Sequence, residues 1–389
     1  MPSPTPFKIA IPDAKLESIR QRVEAYPWYP APEGEQAFEY GMNSSVLKEM
    51  QAYWLNQYDW RKAEADLNSH PQFIANVDGV DIHYLHIVGE AGGKRPLLLT
   101  HGWPGSIYEF WAAIGPLAFP SQHGGKAEDA FDLIIPSLPG YAFSGRPAAP
   151  IGPRKIAALW NRLMTGTLGY NTYLAQGGDW GGIITSWIGF DHGVGDTGKG
   201  CKAIHLNMLG FRPTPATPQS DEEIAWLQHS QAAMQMEGAY LQQHMTKPQT
   251  IAIPLMDSPM GTAAWILEKF HRWSDLTNGK LEDIYSKDQL LTNLMLYLTT
   301  DSIATSIWIY NGFAREGGNE LPEGKRCETP TGIANFPGET VYTTAPRSWC
   351  ERAYNITHWS DMTKGGHFAA MEQPELFVTE IRSWAMQQG

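Results

Sequence analysis

The run Tyr173-Leu174-Ala175-Gln176-Gly177-Gly178-Asp179-Trp180-Gly181-Gly182 decides how this chain is read. A short β-prone segment ends in small residues that flank one carboxylate, and a helical pattern opens behind them. Strand, sharp turn and helix in that order have the shape of a nucleophile elbow, G-x-S-x-G, with Asp179 where serine would stand. Small neighbours let a strained turn lift one side chain above a sheet. A Gly-rich phosphate loop is one alternative, weakened by the lack of a G-x-x-x-x-G-K-[ST] or G-x-G-x-x-G pattern. A plain Gly-rich turn is another. In an elbow the residue type limits the reaction. Serine attacking a saturated carbon would leave an ether, whereas Asp179 would leave an ester that water can cleave at the aspartyl carbonyl. An Asp elbow therefore points to displacement at carbon, in an epoxide or a carbon–halogen bond.

Further apolar runs end in polar or Gly-rich turns. Residues 96–100 lead into His101-Gly102-Trp103-Pro104-Gly105-Ser106, and residues 131–135 into Pro136-Ser137-Leu138-Pro139-Gly140. Residues 202–207 form another run, and a helix is expected over 154–164. Buried strands alternating with helices predict an α/β fold with a mostly parallel central sheet and helices on both faces. Residues 73–77 and 80–88, joined by Asp78-Gly79, read as a β-hairpin. The first 70 residues read as helices and irregular chain: a capped amphipathic helix after Pro12-Asp13, a second helix through Val46, Met50, Tyr53 and Trp54, and a Pro- and Tyr-rich stretch over 26–40. Strand signals stop after Asn207. Residues 210–325 look helical, with a capping-box match at Ser220-Asp221-Glu222-Glu223 and helices expected over 263–273 and 289–308. Strand-like runs return at 331–336 and 353–359, and a helix over 373–386 closes the chain. The simplest division is an N-terminal helical meander (1–70), two halves of one α/β core (71–209 and 326–389) and an inserted helical lid (210–325).

Composition narrows the function classes. The 389 residues carry 29 Lys plus Arg against 41 Asp plus Glu, a formal net charge of −12. That balance disfavours nucleic acid and anionic membrane surfaces as partners. No run approaches the ~18 apolar residues of a membrane span, and Met1-Pro2-Ser3-Pro4-Thr5-Pro6-Phe7 lacks a signal-peptide core. Three distant cysteines, Cys201, Cys327 and Cys350, form neither a disulfide framework nor a zinc spacing, which suits a reducing compartment. A soluble, cytoplasmic protein is the expectation. The 15 Trp, 16 Tyr and 14 Phe imply either a large aromatic core or an aromatic-lined pocket for an apolar ligand.

Other candidates are read against the elbow. In an elbow fold, one oxyanion-hole N–H comes from the loop after the earlier strand and one from the residue after the nucleophile, here the backbones of Trp103 and Trp180. His101 reads as a structural loop histidine. His367, in Gly365-Gly366-His367-Phe368-Ala369-Ala370, sits late and just before the last helix; a solvated loop histidine is the alternative. The chain order nucleophile, acid, histidine favours it as a base. The orienting acid then belongs between them. Glu339 in Phe336-Pro337-Gly338-Glu339 fits, Asp361 competes, and a surface Glu is the bland reading.

Together, the loops at His101–Ser106, Ser137–Tyr141, Gly177–Gly181, Phe336–Glu339 and Gly365–Ala370 resemble the microsomal-type epoxide hydrolase family of the α/β-hydrolase superfamily, which includes juvenile-hormone epoxide hydrolases. The likeness spans nearly the whole chain, including Trp60-Arg61 and residues 67–73 of the meander. It implies the α/β-hydrolase fold, with Asp179 as nucleophile, His367 as base and Glu339 as its orienting acid. It also implies two lid tyrosines: Tyr240, ahead of Thr246-Lys247-Pro248, and Tyr310, at the end of residues 303–310. The implied reaction opens an apolar epoxide to a vicinal diol through an ester on Asp179, with water as the second substrate and neither cofactor nor metal. The sequence departs from mammalian members in lacking their N-terminal membrane anchor, and in Asn311-Gly312, where some relatives carry charged residues. A haloalkane dehalogenase is the nearest rival, with the tyrosine pair as discriminator; a catalytically inactive small-molecule-binding protein is the other. The oligomeric state stays open, a homodimer included.

Overall fold

The computed structural model describes residues 3–32, 38–92, 95–277 and 279–388. The apolar runs become strands shielded on both faces: all five residues of β4 (Pro96–Thr100) and of β5 (Asp132–Pro136) are buried. That is what a parallel sheet covered by helices requires. The other strands are β1 (Thr5–Phe7), β2 (Gln72–Val77), β3 (Val80–Ile87), β6 (Thr172–Gly177), β7 (Gly200–Leu206), β8 (Cys327–Asn335) and β9 (Tyr354–Asp361). They form one sheet in the order β1-β2-β3-β5-β4-β6-β7-β8-β9. Strands β5 to β9 run parallel through β4, and β1, β2 and β3 join antiparallel at one edge.

Side chains alternate along each strand, so the sheet has two cores. Leu98, Ile134 and Ala175 pack on the helices Pro153–Arg162 and Asp179–His192. Leu97, Leu99, Leu133 and Ile135 pack on the opposite face, against Trp111–Ala118 and Pro374–Met386. Strand β4 has β5 on one side and β6 on the other, so the chain reverses its direction of travel across the sheet there. The carboxyl ends of β4 and β6 flank that switch point, where open α/β sheets bind ligands.

Three expectations for the N-terminal segment need correction or restriction. It contributes a strand: β1, with Pro4 just before it and Pro6 at its centre, is the edge strand and pairs only with β2. The helix Asp13–Glu24 has Pro12 at its N-cap and no side-chain cap; Asp13 pairs with Arg61 instead. The described parts of 26–40 contain no helix or strand, and residues 33–37 lie outside the described residues. The helices Asp13–Glu24, Ser44–Asn56 and Trp60–Leu67 pack on two helices from between β7 and β8, Pro259–Trp273 and Lys287–Thr299.

The described elements between β7 and β8 are helices. The helix expected over 289–308 is broken into Lys287–Thr299, Ile303–Ser306 and Trp308–Arg315. Thr299 and Thr300 donate their hydroxyls back to the carbonyls of Met295 and Leu296 (2.7 and 2.6 Å), and Asp301 takes a left-handed φ of 56°. Both devices end helices. Only half of the capping box forms. Ser220 Oγ accepts the Glu223 N–H (3.2 Å), but the Glu223 carboxylate turns to the Gln219 N–H, Ser348 and Arg352. A buried carboxylate needs a counter-charge, and Arg352 supplies it. Among the described residues no helix is long and apolar enough to cross a membrane.

Candidate active site

Asp179 sits between β6 and its helix with φ at 49°, a conformation that costs a non-glycine residue ~1–2 kcal/mol. The glycines make the turn possible. A Cβ on Gly177 would strike the carbonyl of Gly181, and one on Gly181 the carbonyl of Thr100. Backbone therefore meets backbone where β6, its helix and the loop after β4 converge. Across that junction the Trp103 N–H donates to Asp179 Oδ1 at 2.7 Å. Trp180 occupies the helix's first turn. Of the two expected backbone donors, only Trp103 hydrogen-bonds the carboxylate in this state. His101 props the loop: its Nδ1–H donates to the Gly102 carbonyl (2.9 Å) and its Nε2 accepts the Leu138 N–H (3.2 Å). Burial lowers its pKa to about 4, so the ring is neutral.

His367 is held from behind. Its own N–H donates to the Trp273 carbonyl at 3.0 Å, and the N–H groups of Gly366 and Phe368 both donate to the Glu372 carboxylate at 2.9 Å. Gly365 takes a φ of 104° at the bend, which suits glycine alone. The His367 Nδ1–H donates to Glu339 Oε2, and Glu339 Oε1 accepts the N–H groups of Val341 (3.1 Å) and Tyr342 (2.9 Å). His367 Nε2 stands 3.4 Å from Asp179 Oδ2 but is not aligned for a hydrogen bond. Burial disfavours the imidazolium, yet the charge and hydrogen bond of Glu339, with the Asp179 charge beside Nε2, outweigh it. The His367 pKa stands well above its ordinary value. Asp361 ends β9 far from this contact, accepting from Asn335 Nδ2 (3.1 Å) and Trp359 Nε1 (3.3 Å). Glu339, not Asp361, faces the histidine.

Tyr240 and Tyr310 arrive on separate helices, Ala239–Thr246 and Trp308–Arg315. Their ring centroids are 5.9 Å apart at 83°, and both rest on the Trp103 indole, at 5.4 and 5.9 Å. The Tyr310 hydroxyl has no partner among the described residues. The Tyr240 hydroxyl shares a 2.5 Å hydrogen bond with the Tyr342 hydroxyl. Burial pushes all three phenols above their ordinary pKa, so they are neutral donors. Asp179, Tyr240, Tyr310 and Tyr342 line one cavity of about 480 Å³, whose other walls include Trp180, Ile183 and Phe313.

A second, water-sized void of about 10 Å³ touches Asp179, His367, Asn207 and Glu109. Burial, with a smaller push from Asp179, raises Glu109 to about 8, so its carboxyl carries a proton at neutral pH. Sequence reading missed Glu109 and Tyr342. The available signals were weak: an acid three residues beyond Ser106, and a tyrosine three residues beyond Glu339. Among the described residues no three His, Cys, Asp or Glu side chains cluster so as to hold a metal ion.

Known proteins share this arrangement's sequence and architecture. Residues 4–110 match the family described as epoxide hydrolase N terminus, and residues 95–251 the alpha/beta hydrolase fold family. Epoxide hydrolase 1 of Sus scrofa is 35% identical over 97% of this chain and 88% of its own length. Juvenile hormone epoxide hydrolase 2 of Ctenocephalides felis is 35% identical over 97% of this chain and 84% of its own. The solved epoxide hydrolase of Aspergillus niger is similar with a TM-score of 0.85 at 31% identity, covering 100% of this chain and 97% of that one. The chain belongs to the epoxide hydrolase family, built on the α/β-hydrolase fold, together with the juvenile hormone epoxide hydrolases.

Proposed function

We propose that the protein opens an apolar epoxide to a vicinal diol in two steps, with Asp179 as nucleophile. The observation that carries this reading is the shared cavity, in which one carboxylate faces the neutral phenols of Tyr240 and Tyr310. Ring opening drives charge onto the epoxide oxygen, and a neutral acid of high pKa can hydrogen-bond and protonate it. Asp179 Oδ1 is already engaged by Trp103, so Oδ2 attacks the carbon. The product is a hydroxyalkyl ester with a proton taken from a phenol. His367 then removes a proton from water, which attacks the ester carbonyl. The N–H groups of Trp103 and Trp180 stabilise the oxyanion, at roughly 3 kcal/mol per donor in comparable sites. Collapse expels the diol, protonated by His367, and the proton left on the regenerated Asp179 carboxyl returns to His367, restoring the resting imidazolium.

The electrostatics support this order of events. In the resting protein two carboxylates hold the His367 proton, so the ring is no base. Esterification removes the Asp179 charge and leaves Glu339 alone as support. The imidazolium then gives its proton to the phenolate left by ring opening, and the neutral histidine becomes a base when the ester needs one. The water-sized void beside His367 and Glu109 is where we assign the attacking water, with the protonated Glu109 as a second contact. The helical stretch 210–325 acts as the lid that carries both tyrosines over core segments 71–209 and 326–389, with 1–70 braced against it. The test is intact-mass spectrometry of His367→Gln incubated with styrene oxide. The expected result is one substrate mass accumulating on the peptide that holds Asp179. No adduct with any of a panel of aryl and terpene epoxides would refute the covalent step; halide release from chloroalkanes with epoxides untouched would favour a dehalogenase.

A further inference from the structure

The cavity above Asp179 is apolar over most of its wall, and only two lining residues carry formal charge: Asp179 itself and Arg212. Arg212 is solvent-accessible and makes no ion pair among the described residues, whereas Arg154, Arg162, Arg272, Arg326, Arg347 and Arg352 each have a carboxylate partner. Its guanidinium is therefore not committed to a carboxylate among the described residues and stands at the wall of the cavity that holds Asp179. Nor is it on loose chain. Arg212 forms an isolated backbone bridge with Glu320. Asn319 Nδ2 donates to the Gly210 carbonyl at 2.7 Å, and Thr214 Oγ1 to the Leu321 carbonyl at 2.6 Å. Gln242 and Asn319 add neutral polar groups to the lining. Arg212 lies five positions along the chain from Asn207, which borders the water-sized void beside Asp179. At no more than ~3.6 Å per residue, the cation's backbone stays within about 18 Å of that end of the site.

We infer that the cavity is built for amphipathic epoxides: an apolar chain or ring system bearing the oxirane at one end and a carboxylate at the other, the carboxylate docking on Arg212. This rests on the ring-opening reading above and adds the class of substrate. A planar guanidinium fork matches a carboxylate in two parallel hydrogen bonds, a geometry lysine does not reproduce. In a protein of net charge −12, a free acid is otherwise repelled, so one local cation decides whether an acid is accepted.

The epoxide of undecylenic acid and its methyl ester form the test pair. For the wild type, kcat/KM for the acid exceeds that for the ester. In Arg212→Gln the acid-to-ester ratio of kcat/KM falls about tenfold, mainly through KM, the expected loss of one exposed charge-assisted contact. Arg212→Lys recovers part of the ratio, and added salt erodes the wild-type ratio. Calorimetric binding of undecylenic acid, which has no oxirane, weakens in Arg212→Gln by a similar factor and reads the site without chemistry. An acid-to-ester ratio identical in wild type and Arg212→Gln, or calorimetric binding that ignores the substitution, overturns the assignment. If neither epoxide is turned over by the wild type, the ring-opening reading fails, and calorimetry alone then decides for or against the anion site.

Discussion

Glu339→Gln separates the two proposed steps. The carboxylate is 4% exposed and spends both oxygens: one on His367 Nδ1–H, the other on the N–H groups of Val341 and Tyr342. Glutamine keeps the size but removes the charge, and its amide can present an acceptor on one side only. Whichever way it turns, a donor faces a donor. Once Asp179 is esterified, the variant leaves His367 with no anion at either ring nitrogen. The protein contains a measure of that situation in His83, which is fully buried and which burial alone holds at about 3. One pKa unit is ~1.4 kcal/mol, and a proton half transferred in the transition state feels about half of the change. From a reference of about 6.5 this slows ester hydrolysis on the order of 10²-fold, and a ring no longer held in the right orientation adds roughly another tenfold. Ring opening, which uses Asp179 and the phenols, keeps its rate within a few fold. Stopped-flow tryptophan fluorescence suits the assay, since the indoles of Trp103 and Trp273 lie against the Tyr240 ring at 5.4 Å. The expected trace is a fast full-amplitude burst followed by a steady state about 10³-fold slower than wild type, with ester detectable by acid quench. A loss of the burst with hydrolysis unimpaired would mean that Glu339 serves ring opening, and the reasoning would fall.

The tyrosine pair is tested by Tyr240→Phe, Tyr310→Phe and the double variant. Each single change lowers the single-turnover rate of ring opening on the order of 10²-fold, and the double change abolishes it; a fully active double variant removes the phenols from the mechanism. Glu109→Gln retains most of the hydrolysis rate at pH 7, because the glutamate is already protonated there, whereas Glu109→Ala slows hydrolysis and leaves the burst intact. Equal rates for both variants would exclude a role in holding water. A stability prediction concerns Glu380. Burial disfavours its ionised form, but the His205 hydrogen bond, aided by Ser360 and His358, holds it at about 2. A lowered folded pKa contributes stability that is present above the unfolded value of 4.5 and is lost as pH falls towards 2. Glu380→Gln therefore costs about 3 kcal/mol near pH 7 and makes urea stability less steep between pH 4.5 and 2. An unchanged slope would refute the linkage.

What could be read in the sequence follows the physics of each segment. β4, β5 and β6 announced themselves because double-sided burial demands continuous apolar runs, and the glycines after β6 because backbone contact tolerates no Cβ. β1 was illegible: a three-residue edge strand carries no periodic pattern, and prolines argue against one. The break at Asp301 was hidden because Thr299 and Thr300 end a helix through hydroxyls, with no Gly or Pro to mark the place. In the site, Asp179 and His367 stood in loops whose glycines flagged them. Tyr240 and Tyr310 lie in ordinary helical sequence, so only family likeness singled them out. Glu109 and Tyr342 could not be found, because a proton on a buried carboxyl and a bond between two phenols arise from tertiary packing.

The arrangement of charges gives a reason why both proposed steps can use one carboxylate. In the proposed cycle Asp179 must be a free anion to attack and an uncharged ester to be attacked, so any group that responds to its charge would be switched by the reaction itself. His367 is such a group: its Nε2 lies 3.4 Å from Asp179 Oδ2, while Glu339 holds the other nitrogen throughout. On this proposal, before alkylation the imidazolium faces the nucleophile and cannot take a proton from water, so water has no activated path to the epoxide. After alkylation the local field on His367 loses one of its two anions, so the ring gives its proton to the phenolate and can then take one from water beside the void that Glu109 borders. The cavity keeps a division of labour through the same change. Its phenols respond little to the lost charge, because burial already holds them neutral, so they remain donors for ring opening and proton carriers afterwards. Bringing a second permanent anion to His367 Nε2 would keep the ring protonated in the ester state and stop the cycle there, which is why the partner on that side has to be the residue whose charge the substrate removes.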